Sequence, residues 1–352
     1  MRMGWQQILQ GAEKFRILRK IGDIIKKKPN AVHTSEQTMK TMFKGFLQNM
    51  RIFHLPLQNV KAHISTFYRD LRRCDKDSYQ EAKQILECLY LKTRKIKRVK
   101  VTIDGMFIGV RGKTFEHAGK MHSGNKQDKG KLGYTLVTCF DTVNKSPMSF
   151  AVPLIHELHA APTLIQKVID WEEKGKILVE LFVFDALYLN KELLDLVSEH
   201  LFIIRAPAHD WLLTYVDENQ KRGYKQIVLW GHTVLLYWRP SKEKDEKICL
   251  LITNTAHKKI WWVYGHHKQM VENYHDDLKN NLGIRKLPSR KFYSILVFFC
   301  IILLIYMLAR RVLLDLCMNR VSCGTVLLVA AQSMSKKSFL RNLFILGRRK
   351  PG

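Results

Sequence analysis

An α/β fold follows from three features of this 352-residue chain. Apolar β-type runs alternate with amphipathic helical stretches between about residues 98 and 205. Two of the β-type runs close on an aspartate, Asp104 and Asp185, and a glutamate, Glu272, stands later inside a helical segment. The residues before 95 read instead as helical and basic.

In that first region Thr34 or Ser35 caps a helix through Thr38, Met39, Met42, Phe43 and Phe46. Pro56 opens a second, with Val60, Ile64, Phe67 and Leu71 at helical spacing, and a third covers about 79–91. Short connections between them suit a helix-turn-helix DNA-binding unit, and suit equally a bundle with a solvated basic face. From Arg98 the period changes to two. Residues 99–104 (VKVTID) alternate as a half-buried strand that ends near Val110, and 133–140 reads as a second strand. Asp141 begins a turn, and a third strand runs through Phe150 to about Leu154. Pro162 opens a helix with Leu164, Val168 and Trp171 on one side. Residues 177–185 (ILVELFVFD) form a strand apolar on both faces, as a central parallel strand is. Asn190 caps a helix carrying Leu193, Leu194 and Val197, and 201–205 is a short buried strand. Three adjacent strands, then helix, strand, helix, strand, is the order of an RNase H-like fold. Both aspartates then fall near carboxyl ends of strands, where sites of α/β sheets gather.

Three further β-type runs, 226–230, 233–238 and 248–252, stand between the second aspartate and the glutamate and read as a β-rich insertion. The expected organisation is a helical, basic, DNA-binding region over 1–95, the first part of an RNase H-like core over 96–210, and the insertion over 211–254. The second part of the core, with the glutamate helix, covers 255–320, and a basic tail covers 321–352. Residues 292–309 are uncharged and apolar for 18 residues, the lower limit for a membrane span and equally suited to the central helix of a soluble core.

The formal charge is +28 and the pI about 9.8, with the basic residues dispersed along the chain. A polyanionic partner is implied: nucleic acid first, an anionic membrane second. Seven cysteines without a CxxC pair speak against a zinc site or a disulfide framework, and no secretory leader is read at the N-terminus, so a cytoplasmic, nucleoid-associated protein is expected. Three carboxylates from three elements in so basic a chain point to divalent-metal chemistry on phosphodiesters. Two hard cations activate the attacking oxygen and stabilise the leaving one, and a few carboxylates hold them. On the glutamate helix Lys268, Glu272, Asp276 and Lys279 are spaced by 4, 4 and 3, while Met270, Val271, Tyr274, Leu278 and Leu282 supply a packing face. Asp276 is the alternative to Glu272 if the register differs. Trp230 and Trp238 are candidates to stack on an unpaired base, or are simply packed strand residues. His156-Glu157-Leu158-His159 lacks the HExxH spacing and reads as a surface loop, and His266 and His267 read as exposed polar residues.

At these residues the chain resembles the DDE transposases of prokaryotic insertion sequences, in the group with a Tyr-x2-Arg-x3-Glu-x6-Lys signature. Glu272-x6-Lys279 matches, Lys268 stands where the arginine belongs, and Tyr264 lies one residue farther from Lys268 than the signature has it. Lysine there keeps the charge and loses the bidentate fork. The resemblance spans about residues 95–315, includes the β-rich insertion, and places an apolar core helix after the glutamate helix, which leaves a membrane span over 292–309 as the lesser reading. It implies a catalytic triad of Asp104, Asp185 and Glu272 holding two Mg²⁺ or Mn²⁺ ions, with Lys268, Lys279 and Tyr264 on DNA. It further implies double-stranded DNA with terminal inverted repeats and target DNA as partners, a homodimer in the synaptic complex, and cut-and-paste strand transfer. A nuclease of the same fold without strand transfer, and an inactive DNA-binding relic, are the alternatives.

Overall fold

The computed structural model describes residues 16–25, 64–112, 114–120, 130–154, 156–217, 220–241 and 248–315. The expected helices through Thr38–Phe46 and from Pro56, and the basic tail, lie outside these residues, except that Ile64–Leu71 is helical. Two compact units are present. One comprises Arg94–Met106 and Thr135–Glu272, the other Met1–Thr93, Phe107–Tyr134 and Asn273–Gly352.

The first unit is built on a sheet. Its core strands are β1 (Arg98–Gly109), β3 (Leu132–Asp141), β4 (Ser146–Ala151), β5 (Leu178–Phe184) and β6 (Phe202–Ala206). β3 lies beside β1 and pairs antiparallel with β4, whereas β1, β5 and β6 run parallel. The order β4-β3-β1-β5-β6 is that of an RNase H-like core, so the fold expected from the element order is the fold observed. The parallel strands need crossovers, and helices α4 (Ala161–Glu173) and α5 (Lys191–Val197) supply them. α4 starts with a proline in its first turn and buries Leu164, Ile165, Val168 and Trp171. α5 is capped by Asn190, whose Oδ1 accepts the Leu193 amide at 2.9 Å.

The β-rich segment between β6 and the glutamate helix prolongs this sheet. β9 (Ile248–Thr253) pairs antiparallel with β6, then β8 (His232–Pro240) and β7 (Gly223–Leu229) follow outward. The short helix α6 (Asp210–Leu213) leads into it. β7 ends one residue before the expected strand end, because Trp230 and Gly231 form a two-residue hairpin loop with φ of 51° and 89°. Both residues at positive φ is the type I′ geometry, which matches strand twist.

Buried polar clasps fix the edges of this unit. Asp141, fully buried, accepts the amides of Val143 and Asn144 at 2.9 and 3.2 Å, a turn role as expected. Asn144 Oδ1 in turn accepts the amides of Lys95 and Ile96, and its Nδ2 donates to the Ile96 carbonyl at 3.0 Å. One amide side chain thereby ties the entry of β1 to the β3–β4 turn.

The second unit is mainly helical: α1 (Ile17–Ile24), α2 (Ile64–Leu71), α3 (Lys76–Thr93) and α8 (Phe292–Asp315), with the two-residue strand β2 (Gly119–Lys120) paired to the start of β3. α8 holds the apolar run. From 292 to 310 every residue except Tyr293 is buried, and the helix packs along α3 and against α2. Its length and hydropathy would suit a membrane span, but 94% of that stretch is buried inside the protein. Both ends are tied down: Glu116 Oε2 accepts the Phe292 amide at 2.9 Å, where a carboxylate suits the helix dipole, and Arg311 Nη1 donates to the Thr93 carbonyl at 2.7 Å.

Replacing Asn144 by alanine leaves two amides and a carbonyl of the 95–96 segment without partners, and is expected to destabilise the protein by about 2–4 kcal/mol. Urea denaturation of the variant, with an unchanged m-value and a lower midpoint, checks it.

Candidate active site

Strand register creates the site. β1 and β5 pair in parallel up to Ile103↔Phe184, so the next residues, Asp104 inside β1 and Asp185 just past the end of β5, stand side by side where the pairing stops. Side chains on β5 alternate. Phe182 and Phe184 face His200 and Tyr188, while Leu181 and Val183 pack with Ile260 and Tyr264 of helix α7 (Ile260–Asp276). The same alternation turns Asp185 toward α7, and Arg205 follows Ile203 to that face on β6.

α7 answers with a cation. Lys268 Nζ donates to Asp104 Oδ2 at 3.0 Å and to Asp185 Oδ2 at 2.9 Å. The other carboxylate oxygens are also engaged: Asp104 Oδ1 accepts the Gly105 amide at 3.1 Å and Asp185 Oδ1 the Ala186 amide at 2.8 Å. Tyr264, one turn before Lys268, brings its hydroxyl to 3.4 Å from Asp185 Oδ1. At i,i+4 spacing Tyr264 and Lys268 share one helix face.

The electrostatics follow from burial and this one cation. Burial pushes the Asp104 carboxyl above its ordinary value, with Lys268 pulling against it. Burial also raises Asp185, but Lys268, the Ala186 amide and Arg205 outweigh it and hold this carboxyl below its usual range. Burial would lower Lys268, yet the two aspartates prevail and raise it. Tyr264 is raised by burial and then by Asp185, so it remains a neutral hydroxyl donor.

Glu272 is solvent-exposed one turn beyond Lys268 on α7 and makes no hydrogen bond or ion pair among the described residues; Asp276 is exposed as well. The α-helix stops at Asp276, and Lys279 lies in a π-helical turn, Asp277–Asn281, past the end of this unit. The expected α-helical face thus runs from Lys268 to Asp276, and the wider turn takes Lys279 out of that register. Val271 is buried as a packing residue. Trp230 is exposed at the tip of the β7–β8 hairpin. Trp238 is a correction: it is buried, its Nε1 donates to the Gln220 carbonyl at 3.1 Å, and Gly223 packs flat against its ring, so it offers no face to a base. His267, expected to be exposed, is also buried; its Nδ1 lies 2.8 Å from Thr142 Oγ1. His266 is exposed and stacks on the exposed Trp262, an aromatic pair the sequence reading passed over.

The sequence also hid Glu157. The expected surface loop is a 3₁₀ turn, Glu157–His159, held by His156 Nδ1 accepting the Leu158 amide at 3.3 Å. Glu157 turns inward against Gly105, where a Cβ would collide with Glu157 Oε2. Burial, then the charge of Asp104, pushes its carboxyl up to about 7. The legible signal was Gly105 itself, since a glycine inside a strand marks a close approach.

Hard oxygen donors from Asp104 and Asp185 suit a divalent cation, and the Lys268 ammonium already occupies a cation position between them. Among the described residues no three metal-ligating side chains converge into a preformed cluster. An RNase H-like sheet with acidic residues side by side where two adjacent parallel strands stop pairing, in a chain of charge +28, defines a class: metal-assisted phosphodiester chemistry on nucleic acid. Residues 96–308, more than half of the chain, match the transposase DDE domain, and the chain belongs to that family. It is a DNA transposase, an enzyme of DNA cleavage and strand transfer, and divalent metal ions are its cofactor class. No curated protein matches the chain. Among solved structures, the piggyBac transposase in a cryo-EM synaptic complex with hairpin DNA has the same fold, with a TM-score of 0.52 at 12% identity over 94% of this chain and 76% of that one.

Lys268→Ala leaves two largely buried carboxylates without their counter-charge and is expected to destabilise the protein by about 3–5 kcal/mol. Added Mg²⁺ is expected to raise the melting temperature of the variant more than that of wild type, because a bound cation replaces the lost ammonium. Thermal melts with and without the metal check both. His267 provides a pH test. Burial, then Lys100 and His266, lowers it from 6.5 to about 4. The unfolded chain therefore binds a proton between these values that the folded one refuses, and stability falls as pH drops through that window. The contribution is on the order of 2–3 kcal/mol. A smaller drop in stability from pH 7 to pH 4.5 in His267→Asn than in wild type, read by urea melts, is the expected result.

Proposed function

We propose that this transposase belongs to the insertion-sequence group with the Tyr-Arg-Glu-Lys signature, represented here by Tyr264, Lys268, Glu272 and Lys279. Asp104, Asp185 and Glu272 hold two Mg²⁺ or Mn²⁺ ions, and the enzyme acts on terminal inverted repeats as a homodimer in a synaptic complex. The observation that carries this reading is the Lys268 ammonium bridging Asp104 and Asp185 at 3.0 and 2.9 Å, with Tyr264 beside it on the same helix face.

The ions, when bound, would activate the attacking water or 3′-hydroxyl and stabilise the leaving oxygen. The chain's own residues prepare that chemistry. The Gly105 and Ala186 amides fix one oxygen of each aspartate, so the other oxygens stay aimed at a shared point. Lys268, one turn from Glu272, carries the charge that would hold a phosphate of the cleaved strand. Tyr264 keeps Asp185 oriented through its hydroxyl. Lys279 holds the phosphate backbone farther along, and Trp230, exposed on its hairpin, stacks on an unpaired base beside the cut. The dispersed positive charge binds duplex DNA without regard to sequence. The likeness in fold to a transposase seen on DNA supports the same partner. The basic residues of 1–95 are assigned to recognition of the element ends, and the protein to the cytoplasm, associated with the nucleoid.

Cleavage of a labelled duplex carrying the flanking repeats, with Mg²⁺ or Mn²⁺, tests this reading. Asp185→Asn and Glu272→Gln are each expected to lower cleavage at least a hundredfold while changing DNA affinity less than threefold. Full cleavage by Glu272→Gln would remove that residue from the site. Cleavage without joining of a pre-cut end would leave only the nuclease reading, and binding without cleavage in wild type would leave the relic.

A further inference from the structure

Glu157 is a partly buried acidic side chain whose placement neither a turn nor a surface ion pair explains. It opens a 3₁₀ turn whose neighbours, His156 and His159, are solvent-accessible to different degrees, yet it turns its carboxylate inward. The space it fills exists because residue 105 has no side chain. A Cβ there would meet Glu157 Oε2 and Cδ, with Thr135 Cγ2 also near at 3.2 Å. The carboxylate therefore lies against the backbone of the residue that follows Asp104. On its other side the hydroxyl of Tyr188, a buried residue three positions after Asp185, donates to Oε2 at 3.4 Å. Among the described residues that long bond is the side chain's only hydrogen bond, and no ion pair reaches it. A carboxylate partly withdrawn from water with so little compensation is costly. Nothing in the packing demands an acid here, since glutamine would fill the same volume.

We infer that Glu157 is a further metal-directed carboxylate of the site, joining Asp104 and Asp185 when divalent ions bind, in addition to Glu272. This rests on the proposed metal-ion role of the two aspartates. The contrast with Glu272 supports it: Glu272 is exposed, whereas Glu157 already lies against the backbone of Gly105, next to Asp104 in the chain, and is partnered by Tyr188 of the segment that follows Asp185. Hard oxygen ligands from three separate segments suit Mg²⁺ or Mn²⁺, and the ion would supply the counter-charge that this partly buried carboxylate lacks.

Mn²⁺ binding to the full chain, followed by electron paramagnetic resonance of the free ion, separates the possibilities without relying on activity. Glu157→Gln is expected to weaken Mn²⁺ at least tenfold and to keep or raise the melting temperature of the metal-free protein, because one buried negative charge is gone. Gly105→Ala, which pushes the Glu157 carboxylate away while leaving every acid in place, is expected to weaken Mn²⁺ as well. It stands as the independent variant if Glu157→Gln fails to fold. Mn²⁺ affinity within twofold of wild type in either folded variant, with Asp185→Asn losing it, would overturn the role of Glu157 and leave the aspartate site intact. Wild type that binds no Mn²⁺, or Asp185→Asn that binds it normally, would overturn the metal reading itself, and Glu157's role with it.

Discussion

Two carboxylates on adjacent parallel strands repel each other, and here a single ammonium reconciles them. Lys268 reaches both Asp104 and Asp185, and this contact joins the three parts that make the site: the middle of β1, the end of β5, and helix α7. The sheet cannot shift by one residue along β5 without turning Asp185 to the opposite face, because side chains alternate. α7 cannot rotate without withdrawing Lys268 and Tyr264 together. The ion pair thus fixes register and helix orientation at once, and its partly exposed position leaves it able to exchange one cation for another.

The rest of the unit can be read as support for that contact. Phe182 and Phe184 anchor the far face of β5, while Leu181 and Val183 seat Ile260 and Tyr264 on the near one. Asp141, Asn144 and the 95–96 segment hold the start of β1 against the β3–β4 turn, so the strand that delivers Asp104 is tied at its origin. Asn254 does the same for β6, accepting the Phe202 amide and donating to the His200 carbonyl at 2.7 Å. These are neutral or singly charged clasps whose buried groups are paired, and they give rigidity without adding charge to a crowded site.

The order of strands and helices was legible because each element carried a strong local signal: two-residue alternation before Asp104, an unbroken apolar run before Asp185, Pro162 and Asn190 at helix starts. The two aspartates and Lys268 were legible for the same reason, since period and spacing fix which face they share. What was not legible depends on contacts distant in sequence. Glu157 is turned inward by the space at Gly105, which only a folded sheet reveals. Trp238 is buried because Gly223 on the neighbouring strand lets its ring lie flat. His267 is buried beside Thr142, 125 positions earlier. Nothing in the three short strands of the β-rich segment announces that the last of them pairs with β6. The π-helical turn after Asp276 had no sequence signal at all.

The apolar helix α8 also sets a timetable. Its partner α3 leaves the ribosome roughly two hundred residues before it. At about 5–20 residues per second, that interval is on the order of 10–40 s. Throughout it the inner face of α3, with Leu86, Leu89 and Tyr90, lacks the helix that will cover it. The helical unit is therefore the last part of the described chain to close, assembled from its earliest and latest segments after the strands bearing the aspartates have been made. A nascent chain interrupted before residue 292 would carry both aspartates and Lys268 on a scaffold whose second unit has no centre.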